Sequence, residues 1–287
     1  MTDISPFHDL LQVCCKYFII GVIQGLTEFI PISSTAHLKV VPLIMGWGDP
    51  GVSATAIIQL GSVLAVFTYF IKDLKEIIKG ISLGIRHGQW KEENAQLGIA
   101  IILGTIPIIL GGIAIKLFWK DFEYSNFRSI PSIGLISIFM AIVLAVAEKS
   151  GKRYRSIKNI SGIQGLLIGA GQMFSLFPGV SRSGITLSTA LFNGWERKDA
   201  ARFSFLLGIP AITIAGLVGL HDALSQNINL GLIPILIGVI SATISSWLSI
   251  EWLLKYLQRN NTFIFVLYRL LFGITLLAFW SKIPSPS

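Results

Sequence analysis

Two short stretches hold the residues able to do chemistry. The first, residues 24–37, reads Gln-Gly-Leu-Thr-Glu-Phe-Ile-Pro-Ile-Ser-Ser-Thr-Ala-His. It sets a carboxylate (Glu28), three hydroxyls (Ser33, Ser34, Thr35) and an imidazole (His37) around Pro31. Gln24 precedes Glu28 by four residues, so on a helix the amide and the carboxylate share a face. Oxygen donors of this kind suit a hard divalent cation, Mg²⁺ or Ca²⁺, that keeps waters and shares substrate phosphates. The plainer reading is a polar bond between neighbouring helices. The hydroxyls read as an N-cap for an arm beginning near His37, and a helix N-terminus with free N–H groups is also an anion site. Ser34 and His37 are three apart, which allows an imidazole to assist a serine nucleophile, although Ser-x-x-His alone is a weak signal.

The second stretch, residues 172–186, contains Phe-Pro-Gly-Val-Ser-Arg-Ser-Gly-Ile-Thr from Phe177 to Thr186. A guanidinium between hydroxyls at a helix start, here Arg182 between Ser181 and Ser183, is shaped to grip phosphate. The alternative is an arginine snorkelling to the membrane surface, which short hydroxyl residues and the nearby Gly179 and Gly184 disfavour. Glu28, Ser34, His37 and Arg182 are the candidate catalytic residues, with Glu28 also the candidate metal ligand. Gln24, Ser33, Thr35, Ser181, Ser183 and Thr186 are the candidates to bind substrate.

These polar residues stand in a chain that reads as lipid-soluble. Of 287 residues 53% are hydrophobic and only 13% charged, with mean hydropathy +0.71, against about 25% charged in soluble domains. The expectation is one polytopic, all-α membrane domain over 1–287. Ionisable groups at membrane depth are costly and by default functional. The net charge of +8 falls in short segments between apolar runs, which fits the positive-inside rule and not nucleic-acid binding. The adjacent Cys14 and Cys15 are the only cysteines and form no disulfide framework or metal spacing. No Walker loop or HExxH is present, and no cleavable signal peptide is read at the start, where Asp3 and Asp9 replace a basic region.

Apolar residues 10–30 and 38–46 flank the first polar stretch. Neither segment comfortably crosses about 30 Å of hydrocarbon, so the pair reads as a re-entrant helical hairpin with its tip at membrane depth. Residues 160–177 and 184–195 form a second hairpin around Pro178-Gly179. Full spans are expected at 52–71, 95–117, 131–147, 200–220, 230–254 and 262–280, with an interfacial helix and loop at 72–94 and a polar tail at 281–287. Three spans separate the hairpins, so they enter from opposite faces. That makes an inverted-topology repeat, with halves of about 10–148 and 160–281, whose tips meet near the midplane. An offset of 148 residues aligns Gln24 with Gln172, Phe29 with Phe177, Ser33 with Ser181 and Thr35 with Ser183. Most basic residues (72–91, 149–158, 197–198, 255–259) share one face, whereas Lys120, Arg128 and Lys282 mark the other. The first face is then cytoplasmic, and both termini and the first hairpin open to the outside.

The motifs Gln24–His37 and Pro178–Thr186 resemble the two signatures of the undecaprenyl-diphosphatase family, the integral-membrane type tied to bacitracin resistance. Ile58-Gln59-Leu60-Gly61-Ser62 and Phe203–Leu207 also look like family segments. The resemblance covers essentially the whole chain. It implies a phosphatase of the bacterial plasma membrane that converts undecaprenyl diphosphate to undecaprenyl phosphate and phosphate, recycling the carrier for peptidoglycan and other envelope polymers. It implies a divalent cation, Ser34 as nucleophile, His37 assisting it, Arg182 on phosphate and Glu28 in the acidic motif. Gln24 stands where some members have a second Glu, which removes two-carboxylate chelation. The competing class is a transporter or flippase for a prenyl-phosphate lipid, because inverted repeats with broken helices are also a transporter signature. Partners are the prenyl diphosphate and membrane lipids, with a homodimer admissible.

Overall fold

A computed structural model describes residues 6–119, 121–122, 125–225 and 231–282. Lys120 and residues 283–287 of the expected tail lie outside them. Eleven α-helices follow one another among the described residues: α1 (Pro6–Phe29), α2 (Ser34–Ile44), α3 (Val52–Tyr69), α4 (Ile71–His87), α5 (Glu93–Phe118), α6 (Ile130–Ser150), α7 (Gly162–Met173), α8 (Arg182–Phe192), α9 (Arg197–Ser225), α10 (Leu232–Tyr256) and α11 (Phe263–Phe279).

Five helices are long and apolar enough to cross a membrane: α5, α6, α9, α10 and, over Leu10–Phe29, α1. The bent pair α3–α4, turned by 70°, brings the number to six if it counts as one span. Two of the six expected spans are thus shorter than expected: α3 has 18 residues and α11 has 17. The expectation that neither arm of the first hairpin can cross is corrected. α1 has 24 residues, roughly 36 Å at 1.5 Å per residue. Gln24 and Glu28 do not interrupt it, because both are good helix formers and their side chains satisfy each other across one turn at 3.1 Å. Its counterpart α7 has only 12 residues, roughly 18 Å, so the hairpins are unequal. α4 turns away from α3 as expected of an interfacial helix, burying Ile77, Gly80 and Gly84.

Helices in lipid gain little from hydrophobic burial and associate through close packing of small residues. α1 packs chiefly on α10, and α5 on α7. A Cβ at Gly21 or Gly25 would collide with Gly238, Ser241, Ala242 and Ser245, and one at Gly165 or Gly169 with the backbone of Ala100 and Gly104. Gly21 and Gly169 differ by the same 148 residues that relate the two polar stretches. Further seams are α3 on α10, α6 on α11 and α3 on α9. Large apolar side chains meanwhile stand exposed around the bundle, including Phe118 at 87%, Leu232 at 75% and Ile85 at 70%, a surface that suits lipid and not water.

The main core lies beneath the hairpin tips, where Phe29, Phe70, Phe203 and Phe205 are buried and Phe29 meets Phe205 edge-on at 5.1 Å. At the far end buried Glu148 accepts from Arg197 and from Thr262 N and Oγ1. That ties α6, α9 and α11 together below the basic loop.

Candidate active site

Both polar stretches form helix–break–helix turns with the same unusual backbone. Ser33 (φ 78°) and Ser181 (φ 72°) are non-glycine residues with positive φ, a conformation that costs of order 1–3 kcal/mol and concentrates at functional sites. Each is the N-cap of the helix that follows. The Ser33 hydroxyl accepts from Ala36 N at 3.4 Å and the Ser181 hydroxyl from Gly184 N at 3.1 Å. Ser33 also meets Thr35 at 3.1 Å, as Ser181 meets Ser183 at 3.2 Å. Two helix starts with fixed N–H groups are thereby aimed at one region, as an anion site requires.

The tips join directly. Gly179 N donates to Thr35 Oγ1 at 3.3 Å, and Ser183 Oγ donates to the Ile30 carbonyl at 3.2 Å. Buried Arg269, from the middle of α11, donates to the carbonyls of Pro31 at 3.2 Å, Gly179 at 2.8 Å and Ser137 at 3.4 Å. One guanidinium thus clamps both breaks. Sequence reasoning missed it, although a lone charge within the apolar run 262–280 was a usable signal.

Glu28 is the hub. Its Oε2 accepts from Ser34 Oγ at 2.7 Å and from Gln24 Nε2 at 3.1 Å, and its Oε1 faces Arg182 Nη2 at 3.4 Å. Gln24 also donates to Ser62, which accepts in turn from Ser246 at 2.8 Å. Arg182 donates to the Ser204 carbonyl at 3.1 Å, and Ser204 shares a hydrogen bond with Thr186. Of five guanidinium N–H donors, Arg182 spends two in these bonds, and its buried Nε has no partner. The second N–H of Nη1 and that of Nη2 are left for an anion such as phosphate.

These groups end a cavity of about 640 Å³ lined by Gln24, Glu28, Ser33, Ser34, Thr35, Ser181 and Arg182. Lys39, Asp49, Lys116, Arg128 and Asp222 line it as well. Gln59, in the third matching segment, lines it too. The structure therefore brings together Glu28, Ser34 and Arg182 with Gln24, Ser33, Thr35 and Ser181, while Ser183 and Thr186 support the turn from behind.

His37 sits differently from the sequence expectation. It lies outside the cavity lining. Its Nδ1 contacts the Ser33 carbonyl at 2.7 Å and must donate there; Nε2 then accepts from the Tyr268 hydroxyl at 2.6 Å. The ring stacks on Phe272 at 4.5 Å. Both nitrogens are engaged, and the hydrogen-bond partner of Ser34 is Glu28. The Ser34–His37 spacing had suggested otherwise because both stand on the first turn of α2, where the tertiary partner of each was invisible.

For a metal, no group of three or more His, Cys, Asp and Glu stands together among the described residues. The donors beside the lone carboxylate Glu28 are an amide and hydroxyls. This all-oxygen set fits a hard cation only where substrate phosphates and water complete its shell.

The family pattern described as bacitracin resistance protein BacA matches residues 17–275. The undecaprenyl-diphosphatase of Prochlorococcus marinus (strain MIT 9303) is 60% identical over 280 residues, covering 98% of this chain and 96% of the relative. That of Parasynechococcus marenigrum (strain WH8102) is 57% identical over 282 residues, covering 98% of each, and that of Synechococcus sp. (strain CC9311) is 56% identical over 277 residues, covering 96% of this chain and 98% of the relative. Matched from α1 to α11, this multi-pass membrane chain belongs to the BacA family of bacitracin resistance proteins.

Proposed function

We propose that the chain hydrolyses undecaprenyl diphosphate to undecaprenyl phosphate and inorganic phosphate, with associated bacitracin resistance. The observation that carries the reading is the Glu28–Ser34–Arg182 constellation at the end of a cavity that also has apolar walls. The diphosphate binds at Arg182 and at the N–H groups that open α2 and α8. Positioning and electrostatics of this kind supply most of the catalysis in phosphoryl transfer. Ser34 Oγ attacks the terminal phosphorus while its proton passes to Glu28 Oε2. The bond from that phosphorus to the bridging oxygen breaks, and undecaprenyl phosphate leaves. Water then attacks the phosphoserine; the bond from phosphorus to Ser34 Oγ breaks as Glu28 returns its proton to that oxygen, and phosphate departs with one proton of the water while the other passes to solvent. His37 is a positioning residue: it holds the Ser33 carbonyl and so the strained cap. A divalent cation, Mg²⁺ or Ca²⁺, would be held by Glu28 with the amide oxygen of Gln24, and would neutralise diphosphate charge.

The chain lies in the bacterial plasma membrane as an inverted repeat. Its cavity opens outward at Lys39, Lys116 and Arg128, its termini are outside, and its basic loops are cytoplasmic. The matching caps at Ser33 and Ser181 support the repeat. The test is phosphate release from undecaprenyl diphosphate by purified protein in detergent. Release lost in Arg182→Ala supports the reading; a transporter would release none.

A further inference from the structure

We propose that the prenyl tail of the substrate leaves the cavity sideways, through a slot between the parts of α5 and α9 that follow Pro107 and Pro210, centred on Gly112. This rests on the phosphatase reading above and adds the path of the tail. The polar end of the cavity is occupied by Glu28, Ser34 and Arg182, so the diphosphate belongs there. A cavity of about 640 Å³ is the size that encloses a drug-sized ligand. It cannot also contain a long prenyl chain, so the chain must pass through an apolar wall.

One wall has the required properties. From α5 it is made by Ile109, Gly112 and Ile113, and from α9 by Ile214, Ala215 and Val218. These positions recur at three and four residues, so each set is one helix face. Side chains of this wall are also among the large exposed apolar groups of the molecule: Ile109 is 39% exposed, Ile113 51%, Ile214 46% and Val218 46%. An apolar wall left exposed along a cavity is the surface a lipid tail would cover. Before the two prolines the helices touch, since a Cβ at Gly104 would run into Leu207. Beyond them, a Cβ at Gly112 would meet nothing within 4 Å. Lys116 and Asp222, each four residues further along its helix than Gly112 and Val218, also line the cavity and add charge there. An isoprenoid chain therefore finds an apolar path at this level.

The test compares undecaprenyl diphosphate with geranyl diphosphate, whose short tail stays within the cavity. Gly112→Phe and Val218→Trp each fill the slot, one from either helix. Each is expected to raise KM for undecaprenyl diphosphate about tenfold while kcat stays within twofold, and to leave KM for geranyl diphosphate within twofold. Leu110→Phe is the control, because Leu110 is 60% exposed on the same helix but outside the cavity lining; it should change neither substrate. Thermal melting of each variant in detergent verifies folding. Unchanged undecaprenyl KM in both slot variants, or equal losses for both chain lengths, would overturn the slot alone. Wild-type protein that released phosphate from neither substrate would instead sink the phosphatase reading and the slot with it.

Discussion

Gly208→Ala removes no functional group yet should disable the site. Gly208 lies in α9 against the guanidinium of Arg182, and a methyl built on it would coincide with Nη1 and Cζ of that side chain. The obstacle is the far end of a flexible side chain, so Arg182 moves and the helices stay. Alanine in place of glycine favours a helix interior by about 1 kcal/mol. Displacing Arg182 loses its bond to the Ser204 carbonyl, about 1.5–3 kcal/mol for a charged donor. The net cost of about 0.5–2 kcal/mol leaves the protein folded. Activity should suffer more, since a displacement of about 1 Å in a positioning group costs on the order of a hundredfold, or about 2.7 kcal/mol in the barrier. Steady-state phosphate release gives kcat/KM, and thermal melting reports the fold. A Gly208→Ala enzyme within twofold of wild type would refute the claim that Arg182 acts from the seat described.

Glu28→Gln keeps the shape and the Gln24 contact but cannot take the Ser34 proton, so kcat should fall about 10²–10⁴-fold in the same phosphate-release assay. Tyr268→Phe removes the 2.6 Å bond to His37, about 1 kcal/mol; it should cost about fivefold in kcat without moving the acid limb of the kcat–pH profile, and a moved limb would make His37 the base. Arg269→Lys replaces a planar fork that serves three carbonyls with a single ammonium, and calorimetry should show a loss of about 3 kcal/mol. Gln24→Glu supplies a second carboxylate beside Glu28, so about tenfold less Mg²⁺ should give half-maximal activity in a chelator-buffered titration.

The hairpins, the meeting of their tips and the composition of the site were legible in the sequence because polar residues at membrane depth are conspicuous. Pro31 and Pro178 marked the breaks, and the hydroxyls after them marked the caps. Span lengths were less legible. Gln24 and Glu28 looked like interruptions of an apolar run, but a helix carries them without a break because they bond to each other. The partners of Ser34 were not legible at all. Spacing put His37 near it, whereas five residues, one of them Pro31, separate it from Glu28, its actual partner, and only the fold of the turn brings those two together. Tyr268 and Arg269 reach the first polar stretch from more than two hundred residues away in sequence, which no local pattern encodes. Gly208 shows the same limit: its importance lies in the side chain that rests on it.

The central claim is that Ser34, activated by Glu28, receives the phosphoryl group. Acid-quenched single turnovers with undecaprenyl diphosphate labelled in its terminal phosphate measure this directly. Label should appear on Ser34 within the first turnover and not in Ser34→Ala, and turnover in that variant should fall at least a thousandfold. Near-normal phosphate release by Ser34→Ala would contradict it.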